Sequence, residues 1–143
     1  MRAVWDSDHA SYEGEFANFS GISVNPKPVN GRVPIHIGGH TEAAARRAGR
    51  LGDGFIPGEG DLDVLISTMN ASAEEAGRDP SAIEVSAVDL GVMGEDPVAA
   101  AERMAARGVT RLGVPGFLLA LAPDPVAAIA EFGEKVIAPT ADL

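Results

Sequence analysis

Past an irregular opening, the sequence alternates short β-branched runs with longer alanine-rich segments, each punctuated by glycine, proline or aspartate. That rhythm restricts the chain to an α/β architecture of successive strand–helix units. Strands are expected over 33–37, 53–56, 83–90 and 110–114. Helices are expected from near Thr41 to Leu51, with Gly52 as the stop, and over 97–107 and 125–136. A further helix is marked by Leu62, Leu65, Ile66, Met69 and Ala73, which recur at helical spacing up to Gly77. Two helix starts are the firmest boundaries, because Asp-Pro-Val-Ala-Ala occurs at both 96–100 and 124–128. Aspartate suits the N-cap and proline the first helical position. The sequences diverge immediately afterwards, so the shared pentapeptide is one capping solution used twice. With no low-complexity linker in view, residues 1–143 are expected to form a single domain.

Parallel strands joined by helices form either an open doubly wound sheet or a closed barrel, and spacing alone does not choose between them. Composition narrows the functional classes instead. A 143-residue chain that is 45% hydrophobic can fill one core, and with no cysteine it has neither disulfides nor a thiolate chemistry. The formal charge of −10 disfavours nucleic acid and anionic membranes, although a small anionic ligand needs only a local nest of amides. No run approaches the ~18 apolar residues of a spanning helix, and the opening lacks the order of a signal peptide. The expectation is a cytoplasmic protein with no membrane partner.

A more specific resemblance lies in particular residues. Trp5, Tyr12-Glu13-Gly14-Glu15-Phe16 and Pro26-Lys27-Pro28 are followed by Pro34-Ile35-His36-Ile37-Gly38-Gly39-His40-Thr41. Then come Ala44, Arg46-Arg47-Ala48 and Gly52-Asp53-Gly54-Phe55, with Gly77-Arg78-Asp79-Pro80 and Gly108-Val109-Thr110-Arg111-Leu112 further on. This succession resembles the C-terminal half of the luciferase-like flavin- or deazaflavin-dependent oxidoreductases. The resemblance implies a partial (β/α)8 barrel of about four C-terminal strand–helix units with mostly parallel strands. It also implies coenzyme F420 or FMN as cofactor, and either hydride transfer or monooxygenation of a small organic substrate. The family's first four strands, which supply most of its flavin pocket and usual catalytic side chains, have no counterpart here, so no catalytic residue is assigned.

The best site candidate is Ile37-Gly38-Gly39-His40-Thr41, where a strand ends and a helix begins. Paired glycines let the backbone approach a ligand, and amides at a helix start attract phosphate. The resemblance implies that Gly38 and Gly39 contact the cofactor phosphate, with Ile37, His40 and Thr41 beside them; a plain βα turn is the alternative. Arg46, Arg47 and Arg50 either help to hold an anionic tail or form a solvated helix face. His36 and His40 are separated by strand and turn and share no helix face, so no metal site is expected. By alternation, either His36 or the Ile35/Ile37 pair faces a barrel interior.

On the substrate side the expected residues are Phe55, Glu59, Asp61 and Asp89. Glu59 and Asp61 follow the second strand, where barrel enzymes carry substrate loops. Relatives that oxidise sugar phosphates have a basic residue near this point, so two acids there argue against a phosphorylated substrate. Asp61 could equally cap the next helix. Asp89, read as lying within an apolar strand, is either a site residue or a loop anchor. Nucleophile elbow, nucleotide-phosphate loop and dinucleotide fingerprint are all absent. A half-barrel leaves strand edges open, so a second copy or a partner chain is expected to complete the sheet. The alternatives to an oxidoreductase are a cofactor-binding half-barrel without catalysis and a truncated product that needs its other half.

Overall fold

The computed structural model describes residues 1–143, which fall into two compact units, Met1–Pro34 and Ile35–Leu143. In the first unit, helix α1 (Arg2–Asp6) precedes an antiparallel hairpin of β1 (Ala10–Glu13) and β2 (Asn18–Ile22). The hairpin replaces the irregular opening expected from sequence. It is held at its turn by the Gly14 amide, which donates to Ala17 O and to Asn18 Oδ1 at 3.0 Å each, while Tyr12 stacks on Phe19 at 5.9 Å. Lys27 Nζ donates to the carbonyls of Val4 and Ser7 and so ties the end of α1 to the segment after the hairpin.

The second unit is a four-stranded parallel sheet in the order β3-β4-β5-β6: His36–Gly39, Gly54–Pro57, Glu84–Val88 and Arg111–Gly113. Helices α2 (Glu42–Leu51), α3 (Leu62–Glu75) and α4 (Pro97–Ala106) connect consecutive strands, and α5 (Gly116–Ala120) and α6 (Pro125–Phe132) follow β6. Sequential order of parallel neighbours is what repeated crossovers of one hand produce. Several boundaries differ from the sequence expectation. β3 starts at His36 and runs through Gly38 and Gly39 rather than covering 33–37, β4 reaches Pro57, β5 ends at Val88 and the last α-helix ends at Phe132 rather than at 136, while α5 was not foreseen. After Phe132 the last helix passes into a π-helical turn, Gly133–Ile137, and a 3-10 turn, Ala138–Thr140.

The core lies between the sheet and its helices. Phe55 and Val85, with Ile37 against them, meet Ala45, Ala48, Leu65, Met69 and Ala73. α2 and α3 pack closely because Gly49 has no side chain: a Cβ there would run into the Met69 carbonyl oxygen and stand 2.9 Å from the Ala73 nitrogen. Ser72, the one buried polar residue, donates its hydroxyl to Arg46 O at 3.1 Å. The end of α2 is fixed by Arg78, whose guanidinium donates to the carbonyls of Gly49, Ala48 and Gly52. A cation there satisfies acceptors that a helix C-terminus leaves open. Asp96 and Asp124 cap α4 and α6 as expected, with Oδ1 accepting from Ala99 N at 3.1 Å and from Ala127 N at 3.0 Å.

Candidate functional site

The carboxyl ends of the parallel strands bring the β3–α2 turn and the β4–α3 loop together. At Gly39 φ is +148°, and a Cβ would stand 2.6 Å from that of Ala44, so the turn and its approach to the helix both require glycine. Gly38 differs, because a Cβ there would meet only the Ile56 carbonyl oxygen, 4.0 Å away. Its exposed backbone is therefore open to approach from the face opposite the helices. Thr41 caps α2, with Oγ1 accepting from Ala44 N at 3.3 Å. The amides of Glu42 and Ala43 head the helix, where the backbone lacks intrahelical acceptors. The Gly58 amide donates to Gly39 O at 3.1 Å, and Gly60 backs onto the His40 carbonyl. Exposed His40 is thus set beside the second loop.

The substrate-side candidates are not gathered in one place. Phe55 is fully buried in the helix-side core, so its side chain cannot face a substrate; Ile56, the next residue, turns to the other side and is half exposed. This corrects the sequence expectation, and the reason is strand alternation: two successive apolar residues hid which of them pointed to the helices. Ile37 likewise directs its side chain to the core, leaving only its backbone for the turn. Asp61 is the α3 cap, its Oδ1 accepting from Asp63 N at 3.0 Å and Val64 N at 3.3 Å. Asp89 lies beyond β5 rather than within it; it is half-buried and accepts from Gly91 N at 2.8 Å, which anchors a 3-10 turn. It still borders a hollow of about 300 Å³ with Gly58, Gly60 and Arg107. Arg107 is engaged by Asp63, its Nε donating to Oδ1 at 2.7 Å, and this bond raises the guanidinium above its usual pKa. Glu59 is exposed.

One cluster was not assembled from the sequence. On the face opposite the helices, Glu84 Oε2 accepts from Arg111 at 2.6 Å, and Glu84 Oε1 accepts from Ser86 Oγ at 3.2 Å and lies 3.7 Å from His36 Nδ1. The His36 ring covers Gly54, where a Cβ would come within 2.5 Å of it. His36, Gly54, Glu84 and Arg111 each open their strand, so the cluster spans the sheet at its amino end. Polar residues at 36, 84 and 111, each inside an expected strand, were the available signal. Towards the carboxyl end of the same face, Ile56, Glu59, Ser86, Val88 and Arg111 line a cleft of about 460 Å³. No three His, Asp or Glu side chains converge in a way that could hold a metal ion. No helix is long and apolar enough to cross a membrane.

A parallel sheet with helices on one face, glycine turns at its carboxyl ends and a polar opposite face defines a segment of a (β/α) barrel. The sequence pattern of the luciferase-like monooxygenases matches residues 1–135, and the chain belongs to that family. Over 89 residues it is 37% identical to the F420-dependent glucose-6-phosphate dehydrogenase of Mycolicibacterium gilvum (strain PYR-GCK), covering 59% of this chain and 26% of the enzyme. Over 113 residues it is 35% identical to an uncharacterized protein of Mycobacterium bovis (strain ATCC BAA-935 / AF2122/97), covering 77% of this chain and 37% of that protein. It thus spans roughly a quarter to a third of the curated relatives it matches. In fold it is similar to the coenzyme F420-dependent tetrahydromethanopterin reductase of Methanopyrus kandleri, with a TM-score of 0.73 and 17% identity, covering 96% of this chain and 60% of the reductase. An F420-dependent secondary alcohol dehydrogenase solved with an F420–acetone adduct gives a TM-score of 0.71 at 19% identity, covering 96% of this chain and 58% of that one.

Proposed function

We propose that the chain is the phosphate-holding part of an oxidoreductase that uses coenzyme F420 or FMN to transfer hydride to or from, or to monooxygenate, a small organic substrate. The observation that carries this reading is the β3–α2 turn: Gly38 is open to approach, and Gly39 leads into an amide-headed, threonine-capped helix. Such a turn suits a phosphate, since neutral donors and a helix start compensate negative charge without fixed cations. Gly38, Gly39, His40 and Thr41 would hold the phosphate through their backbones, and Ile37 would contribute only its peptide. Glu42, the acid in the first turn, is engaged by Arg46 at 2.6 Å, which reduces its repulsion of an anion. When bound, the cofactor would supply the redox chemistry; these residues bind and orient it.

On the substrate side, Glu59 and the cleft beside Ile56 and Val88 offer exposed surface at the strand ends. Asp61 and Asp89 take positioning roles, because both already anchor local backbone. An acidic rim suits a neutral or cationic substrate better than a phosphorylated one. The relatives named F420-dependent support the deazaflavin, while a riboflavin lyase solved with modified FMN, similar at a TM-score of 0.52 and 18% identity, keeps FMN in view.

A second reading is favoured by the free edges of β3 and β6 and the half-exposed Ile56. In it the chain binds the cofactor and reacts only after another half, from a second copy or a partner chain, completes the sheet. Calorimetric titration of F420 and of FMN into the purified chain tests the binding claim. The Gly38→Val variant adds a side chain where there is space, so it is expected to fold normally and weaken the cofactor by about tenfold or more. Equal affinity of variant and wild type, or no binding of either cofactor, would reject the assignment.

A further inference from the structure

We propose that the Asn30–Gly31 step is a site of spontaneous covalent modification, in which the asparagine carboxamide is lost as ammonia and an acidic residue takes its place. The reaction needs no co-reactant but water. The Gly31 main-chain nitrogen attacks the side-chain carbonyl carbon of Asn30. The new C–N bond closes a cyclic imide as the C–N bond of the carboxamide breaks, and the proton shed by the Gly31 amide leaves with the departing NH2 group as ammonia. Water then opens the imide at either carbonyl. One opening gives aspartate, and the other gives isoaspartate, with the main chain routed through the former side chain.

Attack requires an unhindered main-chain nitrogen and a carboxamide free to turn towards it. The chain has four asparagines, and three of them lack these conditions. Asn25 precedes Pro26, whose nitrogen has no hydrogen to shed, and its side-chain amide donates to Ser23 Oγ at 3.1 Å. Asn18 opens β2, accepts from the Gly14 amide at 3.0 Å and is followed by Phe19, whose ring stacks on Tyr12. Asn70 lies inside α3, where the helix holds the next amide in its own hydrogen bond. Asn30 differs on each count. Both it and Gly31 are exposed, in the segment that leads from β2 to β3, and nothing lies within 4 Å of where a Gly31 Cβ would stand. Gly31 adopts φ +75°, and without a Cβ its backbone can swing into line for the attack. One bond opposes this, from Gly31 N to Pro28 O at 3.0 Å, in an exposed turn that opens at little cost. Imide closure ends that bond, because the ring nitrogen carries no hydrogen. The hydrolysed product then puts a carboxylate in a hollow that Trp5, Arg2 and Arg32 also line.

The test is incubation of the full chain at mildly alkaline pH, followed by proteolytic mapping with mass spectrometry. The expected result is release of ammonia, with the mass gain from exchanging NH2 for OH confined to the peptide that holds Asn30. That peptide should appear in two forms of equal mass, one with aspartate and one with isoaspartate. Gly31→Ala should slow the gain by about tenfold or more, because a Cβ hinders the approach. Asn30→Gln, which leaves the main chain untouched, should abolish it. Unfolding in urea should speed the reaction at Asn30 by less than about tenfold, since its turn is already accessible in the folded chain. A gain that appears first at Asn18, Asn25 or Asn70, a rate indifferent to Gly31→Ala, or a folded chain that stays unmodified while the unfolded one reacts would overturn the inference.

Discussion

The two faces of the parallel sheet have been given different jobs by the same strands. On the helix side, Phe55 and Val85 are almost entirely buried among alanines, leucine and methionine from α2 and α3. On the other side the same strands show His36, Glu84, Ser86 and Arg111, with Ile56 at 47% and Val88 at 65% exposure. Strand alternation produces the division, and it locates stability and function apart. The helix side can be complete within this chain, whereas the polar side is where a ligand or further strands are expected.

That contrast can be broken first by paired truncations. Phe55→Ala should cost about 3–5 kcal/mol, and Ile56→Ala, one residue on, less than about 0.5 kcal/mol in the chain alone, read from urea unfolding. Similar losses at both positions would mean that the two faces are not distinct. The next effect is smaller. Arg78→Ala leaves carbonyls at the end of α2 without their donor, and should cost about 1–3 kcal/mol while leaving cofactor affinity unaltered. A matching loss of affinity would tie the helix end to the site and blur the comparison.

The smallest expected effect concerns the loop that enters β5. The Ser81 hydroxyl and amide, 2.7 and 2.9 Å from Asp79 Oδ1, hold that carboxyl below the ordinary aspartate value. Its folded pKa is depressed, so its contribution is present above the unfolded value and disappears as pH falls through the folded one. The carboxyl carbon of Asp79 should therefore titrate lower than that of an exposed aspartate in an NMR series, and Ser81→Ala should return it towards the ordinary value.

How much of this was readable beforehand depended on whether a residue's role was local. The caps at Asp96 and Asp124 follow from side-chain chemistry acting on the next few amides, and the stop near Gly77 from the ease with which a residue without a Cβ adopts φ +69°. The strand–helix order was legible for the same reason. Which face a strand residue takes was not: Phe55 and Ile56 are both apolar, and only the docking of α2 and α3 tells them apart. Asp89 looked like an intruder in a strand because the strand's end at Val88 is set by pairing with β6, a partner 25 residues away in sequence. The Glu84–Arg111 pair, 27 residues apart, was invisible until the sheet register brought it together. The β1–β2 hairpin, with little alternation of apolar residues, gave no strong period to read.

The central claim is that the backbone of the β3–α2 turn receives an anionic cofactor, and amide NMR addresses it without relying on turnover. On adding FMN or F420, the account predicts that the amide signals of Gly38, Gly39, His40 and Thr41 move together and saturate, and that in Gly38→Val those of Gly39, His40 and Thr41 need about tenfold more cofactor to do so. Saturable shifts centred elsewhere, with these four amides unmoved in the wild type, would contradict it.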